Sequence, residues 1–264
     1  MEKEHIKKRL VFYFYTFENF KGNRAIQLHL RCLKHYSKVF DEALFIISVD
    51  DTENDKLIFD TEVELLKCGF KNVHFKVCNN SSFCECQAFF NEIVKKLGML
   101  DGFTFFGHTK GTTNYGNGWA VEESLDAWIL GMYYLNLEYI DELEDYFTRL
   151  NGARFYGTFL SNYITEPKNK LTYLGSFYWL NCPVIWGDVK KGIVELPIDV
   201  GNRALAEDFP AILYEWEEGT RLASHHLRIL YFLKPYEKTH KSIDFLLGED
   251  IKKYEKYKNE MLNA

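Results

Sequence analysis

The stretch "DGFTFFGHTKGTTNYGNGW" (residues 101–119) begins as an aromatic, strand-like run and dissolves into glycine, asparagine and threonine. At the join stand His108, Thr109, Lys110 and Gly111. A buried strand that carries a histidine and a lysine to its C-terminal tip matches the way open α/β sheets present ligand-binding groups. Whether this run is such a strand depends on what precedes it.

Upstream, "RLVFYFYTF" (9–17), "EALFIISVDD" (42–51) and "NVHFKVC" (72–78) read as strands from their aromatic and β-branched content. Between them, "NRAIQLHLRCLKHY" (23–36), "KLIFDTEVELLKCGF" (56–70) and "CECQAFFNEIVKKLGML" (84–100) place apolar residues at helical spacing. Strands that alternate with helices imply βαβ units and a mostly parallel sheet of Rossmann type, flanked by helices. The C-terminal strand ends then form one edge, bearing Tyr15 and Thr16, Asp50 and Asp51, Asn79 and Asn80, and His108 to Gly111. The second half changes character. A helical pattern over 121–150, expected as two helices, leads to the aromatic strands 153–162 and 174–187. A helix over 202–219, broken or kinked at Pro210, and a basic, aromatic helix over 250–264 complete the chain. The expected organisation is one domain, with a ligand-binding half (1–118) and an aromatic-rich second half (119–264).

Composition narrows the function. The chain has 264 residues, 47% of them hydrophobic, which is ample for a sizeable core. A net charge of −6 argues against a nucleic-acid partner, whose phosphates need a basic face. No run of apolar residues is long enough to span a membrane, and the N-terminus does not read as a signal peptide. The expected location is therefore the cytoplasm. The six cysteines read as reduced thiols, and "CNNSSFCEC" (78–86) lacks the second Cys or His pair that a zinc site requires. Signatures of P-loop nucleotidases, dinucleotide enzymes and serine hydrolases are missing.

The chemistry-bearing residues converge on anions. Lys110 can neutralise a phosphate, His108 can donate a hydrogen bond, and Gly111 allows close backbone approach. A solvated loop is the bland reading of the same four residues. Asp50 and Asp51 suit a ribose, a base or a divalent cation, yet "VDDTEND" is also ordinary turn chemistry. Glu85 stands at a helix start, where the dipole alone favours a carboxylate. Of the neighbours Glu207 and Asp208, at most one can face a cleft as general base. Trp128 and Trp179 are candidate sugar platforms or plain core residues.

"FFGHTKG", "LDAWILGMYYLNLEYIDEL", "FYGTFLSN", "YLGSFYWLNCPVIW" and "RALAEDFP", taken in order over about residues 9–230, resemble a group of bacterial and viral glycosyltransferase-like proteins of polysaccharide synthesis. The resemblance implies a GT-A-like fold, a nucleotide-sugar donor, and a glycan or lipid-linked acceptor. GT-A enzymes usually hold a metal through Asp-x-Asp after the fourth strand. Here His108-Thr109-Lys110 stands at that place, so metal dependence is open, with manganese or magnesium as the candidate ions. On this reading Thr16, Asp50, Asp51 and Glu85 frame the nucleoside and sugar. His108 to Gly111 hold the diphosphate, Trp128 and Trp179 serve the acceptor, and Glu207 or Asp208 is the base. The alternatives are a sugar-nucleotide hydrolase or nucleotidyltransferase, and a non-catalytic glycan-binding or assembly protein. A peripheral contact with the inner membrane face would use Lys252, Lys253, Lys256 and Lys258 with Tyr254 and Tyr257, against a plain solvated helix.

Overall fold

The computed structural model describes residues 5–81, 83–109, 122–149, 153–157, 160–161, 172–173, 177–200, 205–214, 222–224 and 249–264. The alternation expected of the first half is present: β1 (Lys8–Tyr15), α1 (Arg24–Tyr36), β2 (Glu42–Val49), α2 (Asp55–Leu66), β3 (Val73–Asn79), α3 (Cys84–Phe89) and β4 (Phe103–His108). Helix α3 continues as a π-helical turn over Phe90–Val94. Then follow α4 (Glu122–Leu137), α5 (Ile140–Arg149), β5 (Phe155–Gly157), β6 (Leu160–Ser161), β7 (Thr172–Tyr173), β8 (Tyr178–Asn181), α6 (Cys182–Lys190), α7 (Leu205–Leu213), β9 (Leu222–Ser224) and α8 (Glu249–Asn263). The fold is α/β.

A seven-stranded sheet runs in the order β3-β2-β1-β4-β8-β5-β9, and β6 pairs with β7 separately. Strands β3, β2, β1 and β4 are mutually parallel, β8 is antiparallel to both β4 and β5, and β5 is parallel to β9. The sheet is thus mixed but mostly parallel, and it passes from the first half of the chain into the second through β4 and β8.

Alternation along β1 sorts the core. Leu10, Phe12 and Phe14 pack on the face covered by α1, α2, α4 and α8, while Val11 and Tyr13 pack on the face covered by α3, α6 and α7. Two glycines of the opening stretch have packing reasons. Gly102 has φ of +73°, and a Cβ there would lie 2.2 Å from the Lys7 carbonyl oxygen. A Cβ on Gly107 would press on the rings of Phe12 and Phe177 at 3.1 and 3.2 Å.

Three expectations are corrected. The run 174–187 is not one strand, because the chain turns helical at Cys182, with Pro183 in the first helical turn where its missing N–H is harmless. Pro210 does not end α7. Its ring removes the usual donor to the Ala206 carbonyl, and the Tyr178 hydroxyl donates to that oxygen instead (2.6 Å). The aromatic residues of α8 do not face outward: Tyr254 and Tyr257 are buried against Tyr134. The rings invoked for membrane contact therefore belong to the core, leaving the lysines as the solvent-facing part. Among the described residues no helix is long and apolar enough to cross a membrane.

Candidate functional site

Strand order reverses at β1. Its connection through α1 leads to β2 on one side, whereas α3 returns the chain to β4 on the other. A reversal of this kind, at the carboxyl ends of β1 and β4, is where open sheets form ligand crevices. Strand register places Tyr13 beside His108 and Tyr15 beside Ser48 at this edge. The Thr109 N–H donates to the Tyr13 carbonyl (3.0 Å), and the Thr109 hydroxyl accepts from the Tyr15 N–H (2.9 Å). The two strand ends are thereby stitched together beyond the regular ladder.

Two polar groups occupy the edge. In the first, His108 Nδ1 donates to Glu85 on the first turn of α3, at 3.0 Å. The imidazole lies 5.8 Å from the Phe177 ring centroid, so its orientation is fixed from both sides. In the second, the exposed Asp50 carboxylate accepts from Asn80 Nδ2 (2.8 Å) and from the Tyr15 hydroxyl (3.3 Å). Burial and the neighbouring Asp50 charge push the Tyr15 phenol above its usual range. The Tyr15 and Phe17 rings are 5.6 Å apart.

Beneath these groups lies a buried network that sequence reading did not find. Cys84 Sγ donates to Asn80 Oδ1 (3.3 Å) and contacts the Tyr13 hydroxyl and Ser48 Oγ (3.7 Å). Burial, with Cys84 alongside, raises the Tyr13 phenol far above its ordinary range. Tyr13 therefore stays protonated and acts as a fixed strut. The chain Tyr13–Cys84–Asn80–Asp50 links the core to the exposed carboxylate. Only the placement of Tyr13 and Tyr15 on one strand face was readable from the sequence; the Tyr13–Cys84 contact joins residues distant along the chain.

The remaining candidates divide. Thr16 is fully buried, and its hydroxyl shares a hydrogen bond with Thr61 of α2 (3.0 Å), so it ties α2 to the sheet and does not frame a ligand. Asp51 turns back to accept from the Glu53 N–H (2.9 Å), the turn chemistry open to it from sequence. Trp179 is fully buried, stacked on Phe40 at 5.6 Å, and donates to the Asn136 carbonyl (3.0 Å). It is a core residue, and no acceptor platform is available from its ring. Trp128 packs partly buried on the α1 face of the sheet, whereas Glu85 belongs to α3 on the other face. Asp208 is half-buried on α7, whose Phe209 ring lies 5.1 Å from Phe89 of α3, so α7 adjoins the helix bearing Glu85. Lys110, Gly111 and the Glu207 side chain lie outside the described residues. Among the described residues no three His, Cys, Asp or Glu side chains are placed to hold one metal ion.

The arrangement offers a carboxylate held by neutral donors, two aromatic rings and an oriented imidazole. Such a set can accept hydrogen bonds from hydroxyl groups, pack on a planar or sugar ring, and donate to an anion. Compared with protein-family models and with curated proteins, the chain matches none.

Proposed function

We propose that the chain is a glycosyltransferase of GT-A type that takes a sugar from a nucleoside diphosphate and passes it to a glycan or lipid-linked hydroxyl. The observation that carries this reading is the pairing, at the reversal of strand order, of the Asp50–Tyr15–Asn80 cluster with the Glu85–His108 pair. On this reading Asp50 accepts from ribose hydroxyls, and the Tyr15 and Phe17 rings flank the nucleoside. Glu85 fixes the His108 ring through Nδ1, and Nε2 meets the diphosphate. Breaking the glycosidic bond develops negative charge on that leaving group, and positioned donors lower the barrier. Lys110 enters on its sequence position alone, next to Thr109, as a cation for the diphosphate. Asp208, or Glu207 beside it on α7, removes the proton of the acceptor hydroxyl.

The test is calorimetric binding of UDP, GDP, CMP and their common sugar conjugates, with and without manganese, followed by product analysis. The expected outcome is that one nucleotide class binds, that binding weakens in Lys110→Ala, and that turnover releases free nucleoside diphosphate with a glycosylated acceptor. Binding of glycans but of no nucleotide would replace this reading by the assembly-protein alternative. Release of free sugar without transfer would make the protein a hydrolase.

A further inference from the structure

On the α3 face, the end of α3, the short turn Leu97–Met99, α6 and the segment 196–198 enclose an open apolar groove of about 460 Å³. That is the size of a small-molecule pocket, about 300–1,000 Å³. Met99 shortly precedes β4, and α6 starts where β8 ends opposite Phe103, so the groove lies toward the amino ends of the strands, away from the crevice. Its walls are set by two local departures from regular packing. The chain leaves α3 through the π-helical turn Phe90–Val94, where the Lys95 N–H donates to the Phe90 carbonyl (2.9 Å). Turns of this kind gather at functional sites. Here the buried Phe90 and Val94 form the floor, and Lys95 Nζ stands 5.0 Å from the Phe90 ring centroid. The Trp186 ring lies against Gly98, where a Cβ would come within 2.7 Å of it, so the bare glycine seats the indole as a wall. Met99 and Ile198 stand at the rim, 73% and 93% exposed.

The charges around the groove select its occupant. Lys76 and Lys96, nearby, both reach Glu92, at 2.6 and 2.5 Å. Lys95 instead donates to the neutral Asn91 Oδ1 (3.1 Å), and among the described residues no carboxylate pairs with it or with Lys190. Lys190 follows Trp186 by one turn of α6 and shares its helix face. Glu195 and Asp199, exposed on the segment after α6, repel an anion there and leave Lys95 and Lys190 as its end of the groove. We infer that the groove binds the chain of a single-chain anionic lipid, with its carboxylate at Lys95 and Lys190 and its methylenes along Phe90, Val94 and Trp186. The lining calls for an apolar body, and the two lysines prefer a negative head to a neutral or positive one. This site is apart from the crevice, and the inference does not rest on the function proposed there.

Titration of the full chain with a terminally brominated dodecanoate, kept below micelle formation, tests this directly, because bromine quenches an indole that it touches. Saturable quenching is expected. It should largely vanish in Trp186→Phe, which keeps an apolar wall, while the affinity read by calorimetry changes little. The double variant Lys95→Gln/Lys190→Gln should bind about tenfold more weakly, with circular dichroism unchanged because both lysines are exposed. The same chain on a trimethylammonium head should also bind about tenfold more weakly than the carboxylate. From octanoate to dodecanoate the affinity should rise about fourfold for each added methylene. Absence of binding overturns the inference, and so does quenching that survives in Trp186→Phe. Equal binding of the two heads would also overturn it. Binding to anionic phospholipid vesicles without binding of monomeric dodecanoate would overturn it too, and would make this face a membrane contact instead.

Discussion

The two ends of the parallel strands are both rich in carboxylates, and they treat them oppositely. At the amino ends, Arg9 donates to Glu42 and to Asp101 (2.9 Å), and Lys7 reaches Glu42 at 2.8 Å. Asp41 accepts from the Lys8 N–H (2.8 Å) and faces His5 (2.9 Å). At the carboxyl ends, the described partners of Asp50 are the neutral Tyr15 and Asn80. A carboxylate beside a fixed cation has its charge already answered. One held by neutral donors is oriented but keeps its charge for something that arrives. The comparison separates an edge that holds the fold from an edge proposed to bind, and each can be broken without the other.

The largest expected effect lies at the proposed binding edge. His108→Ala should lower turnover about 100-fold, the usual loss when one donor to a developing anion is removed. Its melting temperature should change little. Next comes Arg9→Met at the structural edge. Removing the buried guanidinium leaves Glu42 to Lys7 alone and takes the hydrogen bond from Asp101, and should lower unfolding free energy by about 2 kcal/mol in urea titrations. Nucleotide binding per folded molecule should be unchanged. Asp50→Asn is smaller again: about tenfold weaker nucleotide binding by calorimetry, the weight of one charged hydrogen bond, with stability within about 0.5 kcal/mol of the parent. If Arg9→Met and Asp50→Asn exchanged these effects, the division between the edges would be wrong.

The layout of both edges was legible in the sequence, because aromatic strands alternating with amphipathic helices leave little choice of fold. Strand β4 and its terminal histidine were readable for that reason, and so were Asp50, Asn80 and Glu85 as neighbours. Side-chain direction was less so. Thr16 and Tyr15 are adjacent, and only the phase of the strand decides that the threonine enters the core while the tyrosine meets Asp50. Trp179 has the composition of a platform residue, but β8 lies between β4 and β5, with both faces covered. Helix α6 was hidden because Val184, Ile185 and Trp186 are strand-favouring residues, and Pro183 marks a helix start only once the preceding strand is known to end. The Tyr13–Cys84 contact joins residues far apart in sequence, so no local pattern announces it.

The finest test of the comparison is acid. Burial alone would raise the Glu42 carboxyl, but hydrogen bonds from Lys7 and Arg9 outweigh it and hold it below its ordinary 4.5. For Asp41 the Lys8 N–H and His5 likewise outweigh burial, and for Asp101 the hydrogen bond from Arg9 leads; both lie below the ordinary 3.8. The unfolded chain therefore takes up protons at these positions before the folded chain does. Their stabilisation is complete above about pH 5 and fades as pH falls through the depressed folded values. Urea midpoints measured at descending pH should drop more steeply for the parent than for Arg9→Met, which relaxes Glu42 and Asp101 but leaves Asp41 depressed. Parallel curves for the parent and Arg9→Met would mean that the acid sensitivity arises away from the amino-end network, at the Glu92 or Glu64 ion pairs, whose carboxyls are also held low by lysines.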